Sequence, residues 1–449
     1  MTIQIESEHR TLGPILATMT VASCMIGSGI YMLPASLGGL GSVSILSWLV
    51  AAAGAALIAG SLAWLAVLDP ESGGMFAYIR TAFGPAAGFI SGVLYWASTL
   101  PGVVAIAIAC TGYLGVFVPA VRHGLGATLG IVGFVWLFVA ANWVGPRFVA
   151  RLQGMSLGLG LIPVLLAALG GWFFFHGTTF AQSWNPGHES LQTLVPRGSV
   201  MAFWAFLGVE GAVILAPRIK NPGRNVPLAT LGGLGLAAII YIAACMAIMG
   251  ILPAGVLAKS SAPFADAAAV AVGGSLAGAI ALCAMVKASG TLGGTMLLMV
   301  ESLECESVIA VVSASPRSLP RVSAANLLFT GALSTLIVFI SQSPTLVRQF
   351  TMVTNVVVVL SMLIYAAACL ALVRMAQGLP PSRRIAAWIV GGGGALFSVA
   401  IIAASEADLL IWSALPVLGA FAAYWLATLR RRRRTAILSA GEPAGAEHG

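Results

Sequence analysis

From one end of the chain to the other, apolar stretches of about 20 residues are separated by short segments that carry the charges and many of the prolines. A helix of that length spans a hydrocarbon core of roughly 30 Å. Cutting at the interruptions gives twelve expected spans, near residues 14–38, 43–66, 87–118, 124–144, 152–175, 198–216, 228–251, 272–300, 324–341, 349–373, 385–404 and 409–428. The pattern therefore predicts an all-α membrane protein with twelve transmembrane helices. Residues 1–13 form an N-terminal tail in this reading, and 429–449 a basic, flexible C-terminal one.

Composition removes the soluble alternatives. Of 449 residues, 59% are hydrophobic and 8% charged, with a mean hydropathy of +0.99; soluble domains carry about 25% charged residues. The start, polar from Met1 to Gly13 and running into a full-length span, is not that of a cleaved signal. A net charge of +8 raises the question of nucleic acid, and topology answers it. With the N-terminus inside, 17 of the 22 Lys and Arg fall in cytoplasmic segments and four in outer loops, which satisfies the positive-inside rule. The expected setting is a cell inner membrane with both termini cytoplasmic, and the run Arg430 to Arg434 reads as a contact with anionic lipid and a topology anchor. No nucleic-acid partner is expected.

Six scattered cysteines form no CxxC pair, and the five histidines sit in tails, loops or at a helix end. No disulfide framework, metal site or cofactor is expected. Audit of the charges leaves Lys287 as the one base inside a span and Glu210 as the one acid. An ionisable group there costs at least about 2.5 kcal/mol on insertion scales, so such residues face a bundle interior or an aqueous cavity. A structural ion pair or a snorkelling lysine is the plainer alternative.

Two spans contain backbone unsuited to a plain helix. The first reads Ile26-Gly27-Ser28-Gly29-Ile30 before Pro34, and the sixth reads Leu207-Gly208-Val209-Glu210-Gly211 before Pro217. Interrupted segments at matching places in two halves point to an inverted repeat with a binding site at the membrane midplane, because unwinding frees N–H and C=O groups for a ligand. The spans lie five helices apart. A 5+5 repeat follows, with repeat one at about 14–175, repeat two at about 198–373, and helices 11 and 12 appended at about 385–428. Close helix packing is the other use of membrane glycines.

These residues resemble the amino acid–polyamine–organocation superfamily, and within it the arginine/agmatine antiporter branch of basic amino acid and polyamine exchangers. The resemblance is carried by the segment at Ile26 to Ile30, by Leu68-Asp69-Pro70 followed by Gly73 to Tyr78, and by Phe83-Gly84-Pro85, Val93 to Trp96, Asn142 to Pro146, Phe203 to Glu210 and Lys220 to Pro227. It covers about residues 12–375. It implies a leucine-transporter-type fold, alternating access and a homodimer. By the same resemblance, the amides of Ile26, Ser28 and Gly29, with Gly27 between them, receive a substrate carboxylate at a half-helix N-terminus. Carbonyls from Trp204 to Gly208 face the substrate amine, Trp204 closes over it, Tyr95, Phe350 and Tyr365 are gating aromatics, and Glu210 is the proton-coupling carboxylate.

Departures from the branch bear on specificity. Thr295 stands where the arginine exchangers carry a Trp, Val103 where they carry Asn, Val357 where they carry Ser, and Cys24 replaces an Asn. Guanidinium recognition needs planar partners and several acceptors. Lys287 lies eight residues before Thr295, roughly 12 Å nearer the outer face, and reads as a second charge or proton-coupling group. The expected function is secondary transport of an amino acid, in exchange for an amine; proton-coupled transport of neutral or apolar amino acids is the alternative. An enzyme would need clustered nucleophiles, bases or metal ligands in the spans. A channel or transport-dead sensor could share the fold.

Overall fold

The protein is described from a computed structural model covering residues 12–440 apart from 28, 70–73, 212, 214, 215, 217, 218 and 305–323. Its main helices are α1 Pro14–Met25, α2 Leu33–Gly38, α3 Ser44–Leu68, α4 Met75–Phe83, α5 Pro85–Leu114, α6 Gly124–Val144, α7 Pro146–Leu165, α8 Leu191–Phe203 and α9 Pro222–Ile251. They continue with α10 Pro263–Ala271, α11 Gly274–Glu304, α12 Ala324–Ile340, α13 Leu346–Met375, α14 Pro381–Ala403 and α15 Ala407–Ala440. Among the described residues the only β-type pairing is an isolated bridge between Leu12 and Ile219.

Helix is what a spanning segment must form, because hydrocarbon offers no partner for a free N–H or C=O. Proline marks several starts, at the beginning of α1, α5, α7, α9, α10 and α14, where its missing N–H costs nothing. Glycine makes the tight reversals, as at Gly145 between α6 and α7, where φ is +144° and a side chain would strain the backbone.

Among the described residues nine helices are long and apolar enough to cross a bilayer. The three expected spans outside that count have identifiable reasons. The first and sixth are interrupted, and α12 is described over 17 residues only, directly after the undescribed residues 305–323. The fourth span coincides with α6, while the fifth starts earlier than expected, at Pro146. The last helix runs through Arg430 to Arg434 to Ala440, where a flexible tail was expected from residue 429; arginine is a good helix former.

Burial separates scaffold from periphery. In α5 and α13, 72% and 67% of the apolar window is buried, against 17% in α15, so the first two are central and the last faces outward. Around them α11 packs on α7 and α5, α9 on α1 and α3, and α14 on α13 and α3. Small residues set the closest approaches. A Cβ at Gly54 would stand 2.2 Å from the Phe397 ring, and one at Gly290 2.0 Å from the Ser156 hydroxyl, so α3 meets α14 and α7 meets α11 nearly backbone to side chain.

Candidate functional site

The two glycine-bearing spans leave helical geometry where they meet. After α1, the Ile26 N–H still bonds to the Ala22 carbonyl at 2.8 Å, and the Gly27 N–H bonds to the Met25 carbonyl at 2.7 Å. A single 3₁₀ turn, Gly29–Tyr31, precedes α2. After α8, a 3₁₀ turn covers Trp204–Phe206, Leu207 is extended with ψ 139°, and Gly208 has φ +100°. Only glycine adopts that last conformation without strain.

Glycine is also needed there for space. A Cβ at Gly208 would stand 2.9 Å from the Cys24 carbonyl oxygen, so the second break rests on the end of α1. Across from it, a Cβ at Gly29 would stand 2.5 Å from the Trp204 indole nitrogen. The two interruptions therefore face each other in van der Waals contact.

Between them lies a cavity of about 190 Å³. Helical spacing explains its walls: Tyr95, Ser98, Thr99, Gly102 and Ile106 come from one face of α5, Thr291 and Thr295 from one face of α11, and Val357, Ser361 and Tyr365 from one face of α13. Several hydroxyls are tied to their own helices. Ser98 donates to the Tyr95 carbonyl at 2.7 Å, Thr99 to the Trp96 carbonyl at 2.6 Å and Thr291 to the Lys287 carbonyl at 3.0 Å.

Glu210 is the carboxylate of this cavity. Its Oε2 accepts from the Tyr365 hydroxyl at 2.6 Å and from the Gly208 N–H at 3.1 Å, and its Oε1 from the Tyr95 hydroxyl at 3.4 Å. One side chain thus ties the second break to both central helices, α5 and α13. On the other side of the cavity the Trp204 ring stands edge-on to Phe350, centroids 6.3 Å apart at 88°, and its indole nitrogen has no hydrogen-bond partner among the described residues.

The structure brings most of the sequence-derived candidates together. Gly27, Gly29, Tyr95, Trp204, Gly208, Glu210, Thr295, Val357 and Tyr365 line the cavity. Phe350 is buried behind Trp204, and Ser28 lies outside the described residues. Ile26 and Val103 are buried and are not part of the wall. The Ile26 amide, assigned by resemblance to a substrate carboxylate, is instead engaged with Ala22. Lys287 is 5% exposed and does not line the cavity; its stem fills the space a side chain at Gly160 of α7 would occupy. The cavity-facing hydroxyls of Ser98, Thr99, Thr291 and Ser361 were not singled out from the sequence, although their three- and four-residue spacing from Tyr95, Thr295 and Tyr365 was a usable signal. Among the described residues no group of His, Cys, Asp and Glu could hold a metal.

Comparison with known proteins places the chain among transport proteins by sequence. Residues 12–425 match the family described as amino acid permease. Over 293 residues the chain is 37% identical to the cadaverine/lysine antiporter of Escherichia coli K12, an alignment covering 65% of this chain and 66% of that relative, just under two thirds of its length. It is 33% identical over 426 residues to the putrescine transporter PotE of the same strain, covering 92% of this chain and 95% of the relative. The PotE of Haemophilus influenzae is 30% identical over 420 residues, with 92% and 97% covered.

Proposed function

Because the chain belongs to the amino acid permease family, we propose that it is a secondary active transporter that carries an amino acid across the membrane by alternating access, exchanging it for a related amine. The observation that carries the proposal is the pair of facing helix interruptions, with Trp204 over Gly29 on one side of the cavity and the Tyr95–Glu210–Tyr365 tether on the other. A zwitterion suits such a site, since a broken helix offers N–H groups to a carboxylate and carbonyls to an amine. In this reading the carboxylate lies at the first break, at Ser28 and Gly29, and the amine at the carbonyls from Trp204 to Gly208. The Ile26 and Gly27 N–H groups are bonded to the Ala22 and Met25 carbonyls, which is why this reading places the carboxylate after them.

Trp204 with Phe350 then forms the outer gate, and Glu210 with its two tyrosines the inner one. Protonation of Glu210 removes the charge that holds three donors and so couples proton binding to opening. The twelve spans divide as a leucine-transporter-type 5+5 inverted repeat, about 14–175 and 198–373, with helices 11 and 12 appended. The protein sits as a homodimer in a cell inner membrane with both termini cytoplasmic. Nothing in this scheme needs a cofactor. The exchange reading is supported by the relatives, which are named as a cadaverine/lysine antiporter and a putrescine transporter.

A second reading, proton-coupled transport of neutral amino acids, is favoured by Thr295 and Val357 in the wall and by the buried Lys287 beside it. Counterflow in liposomes tests the proposal. Labelled amino acid should accumulate only in vesicles preloaded with unlabelled substrate or driven by a proton gradient; a single-channel current would reject a carrier.

A further inference from the structure

Glu210 and Lys287 are the only charged side chains buried among the described residues, at 8% and 5% exposure, and they have opposite signs. Glu210 faces the cavity, and Lys287 lies one turn before Thr291, whose side chain is part of the wall. The Cys24 thiol shares the cavity wall with Glu210. Neither charge is cancelled by contact. The partners of Glu210 are phenols and an amide, and among the described residues Lys287 is in no ion pair.

An uncompensated charge in a poorly polarisable interior is costly, whereas a balanced set is not. Counted at their formal charges, Glu210 in the cavity wall and Lys287 behind it sum to zero. A zwitterion with an uncharged side chain preserves that balance; lysine or arginine adds one positive charge, and cadaverine or putrescine adds two. Among the described residues of the wall Glu210 is the one carboxylate, and it is already held by Tyr95, Tyr365 and the Gly208 N–H, which leaves none to meet a distal ammonium.

We infer that the transported amino acid is a net-neutral zwitterion, and that Lys287 sets this preference by offsetting Glu210. The inference rests on the carrier reading alone and departs from its amine partner: the exchanged molecule is then a second zwitterion. Lys287 is about two turns, or ~12 Å, from Thr295 along α11, and at that range repulsion between unit charges at an effective dielectric of about 20 is worth about tenfold in binding.

The experiment is counterflow by the purified protein in liposomes. L-alanine, L-valine, L-leucine and L-methionine are compared with L-lysine, L-arginine, cadaverine and putrescine, all below saturation. At least one neutral probe should exchange about tenfold faster than every cationic probe. Lys287→Gln should move the preference about tenfold toward lysine and arginine, and Lys287→Arg, which keeps the charge, should retain the wild-type order. Should Lys287→Gln fail to fold, the wild-type order and the Lys287→Arg result still decide. Lysine or cadaverine exchanging as fast as the neutral probes, or an unchanged order in folded Lys287→Gln, would overturn the inference and leave the carrier standing. Absence of counterflow with every probe, in protein that remains monodisperse, would overturn the transporter reading and this inference together.

Discussion

The tether at Glu210 can be cut one bond at a time, and its two phenols make unequal bonds. Tyr365 donates at 2.6 Å and Tyr95 at 3.4 Å, so nearly all of the phenolic contribution comes from α13. A hydrogen bond to an ionised acceptor is worth about 1.5–3 kcal/mol net. If the bond exists in one facing of the cavity and not in the other, Tyr365→Phe shifts the equilibrium between them by about 10- to 150-fold. Tyr95→Phe, removing a long and weak bond, shifts it only about threefold or less. Cys24 supplies the readout, because it is exposed on the cavity wall while Cys110, Cys245 and Cys369 are buried. With Cys283 and Cys305 replaced by serine, a membrane-impermeant maleimide applied to inside-out vesicles should alkylate Cys24 about tenfold faster or more in Tyr365→Phe, and near the wild-type rate in Tyr95→Phe. Equal rates in folded wild type and Tyr365→Phe, or a larger effect from Tyr95→Phe, would refute the reasoning.

Other perturbations test separate parts of the site. Glu210→Gln should abolish the pH dependence of exchange; in the wild type, protonation loosens the tether, so the cytoplasmic alkylation rate of Cys24 per thiolate should rise as pH falls and stay flat in the variant. Gly29→Ala puts a Cβ 2.5 Å from the Trp204 indole nitrogen, so exchange should fall more than about tenfold while the protein stays folded. Gly92→Ala, with nothing within 4 Å, is the matched control and should exchange at the wild-type rate. Trp204→Ala should slow turnover more than it lowers thermal stability. Gly160→Ala drives a methyl into the Lys287 stem, 2.2 Å from its Cγ, and should cost about 1–3 kcal/mol, read as a lowered midpoint in a thermal unfolding assay.

The long spans were legible because an apolar run of bilayer length leaves the backbone little choice. The position of α6 follows from its flanking residues alone, His123-Gly124 and Gly145-Pro146. The interruptions were legible too, since glycines two residues apart, at Gly27 and Gly29, cannot share one packing face. What the sequence did not disclose is how the pieces meet. That Gly208 rests on the Cys24 carbonyl, or that Lys287 packs over Gly160 and not into the cavity, depends on the contact of α7 with α11 and of α1 with the second break, which are set by tertiary packing between distant residues. The Ile26 amide shows the same limit. Its place in a glycine-rich run suggests a free donor, yet one more helical bond to Ala22 forms before the chain turns. Hydroxyls at Ser98, Thr99 and Thr291 are common in membrane helices and gain meaning only from sharing a wall with Glu210.

The most direct test of the central claim, that the two facing breaks hold the transported molecule, is protection of Cys24. Whichever probe gives the fastest counterflow should, at saturating concentration, slow alkylation of Cys24 about tenfold or more, with half-protection at the concentration that half-saturates exchange. Saturating substrate that leaves the Cys24 rate unchanged while exchange proceeds would place the transported molecule elsewhere and contradict the account.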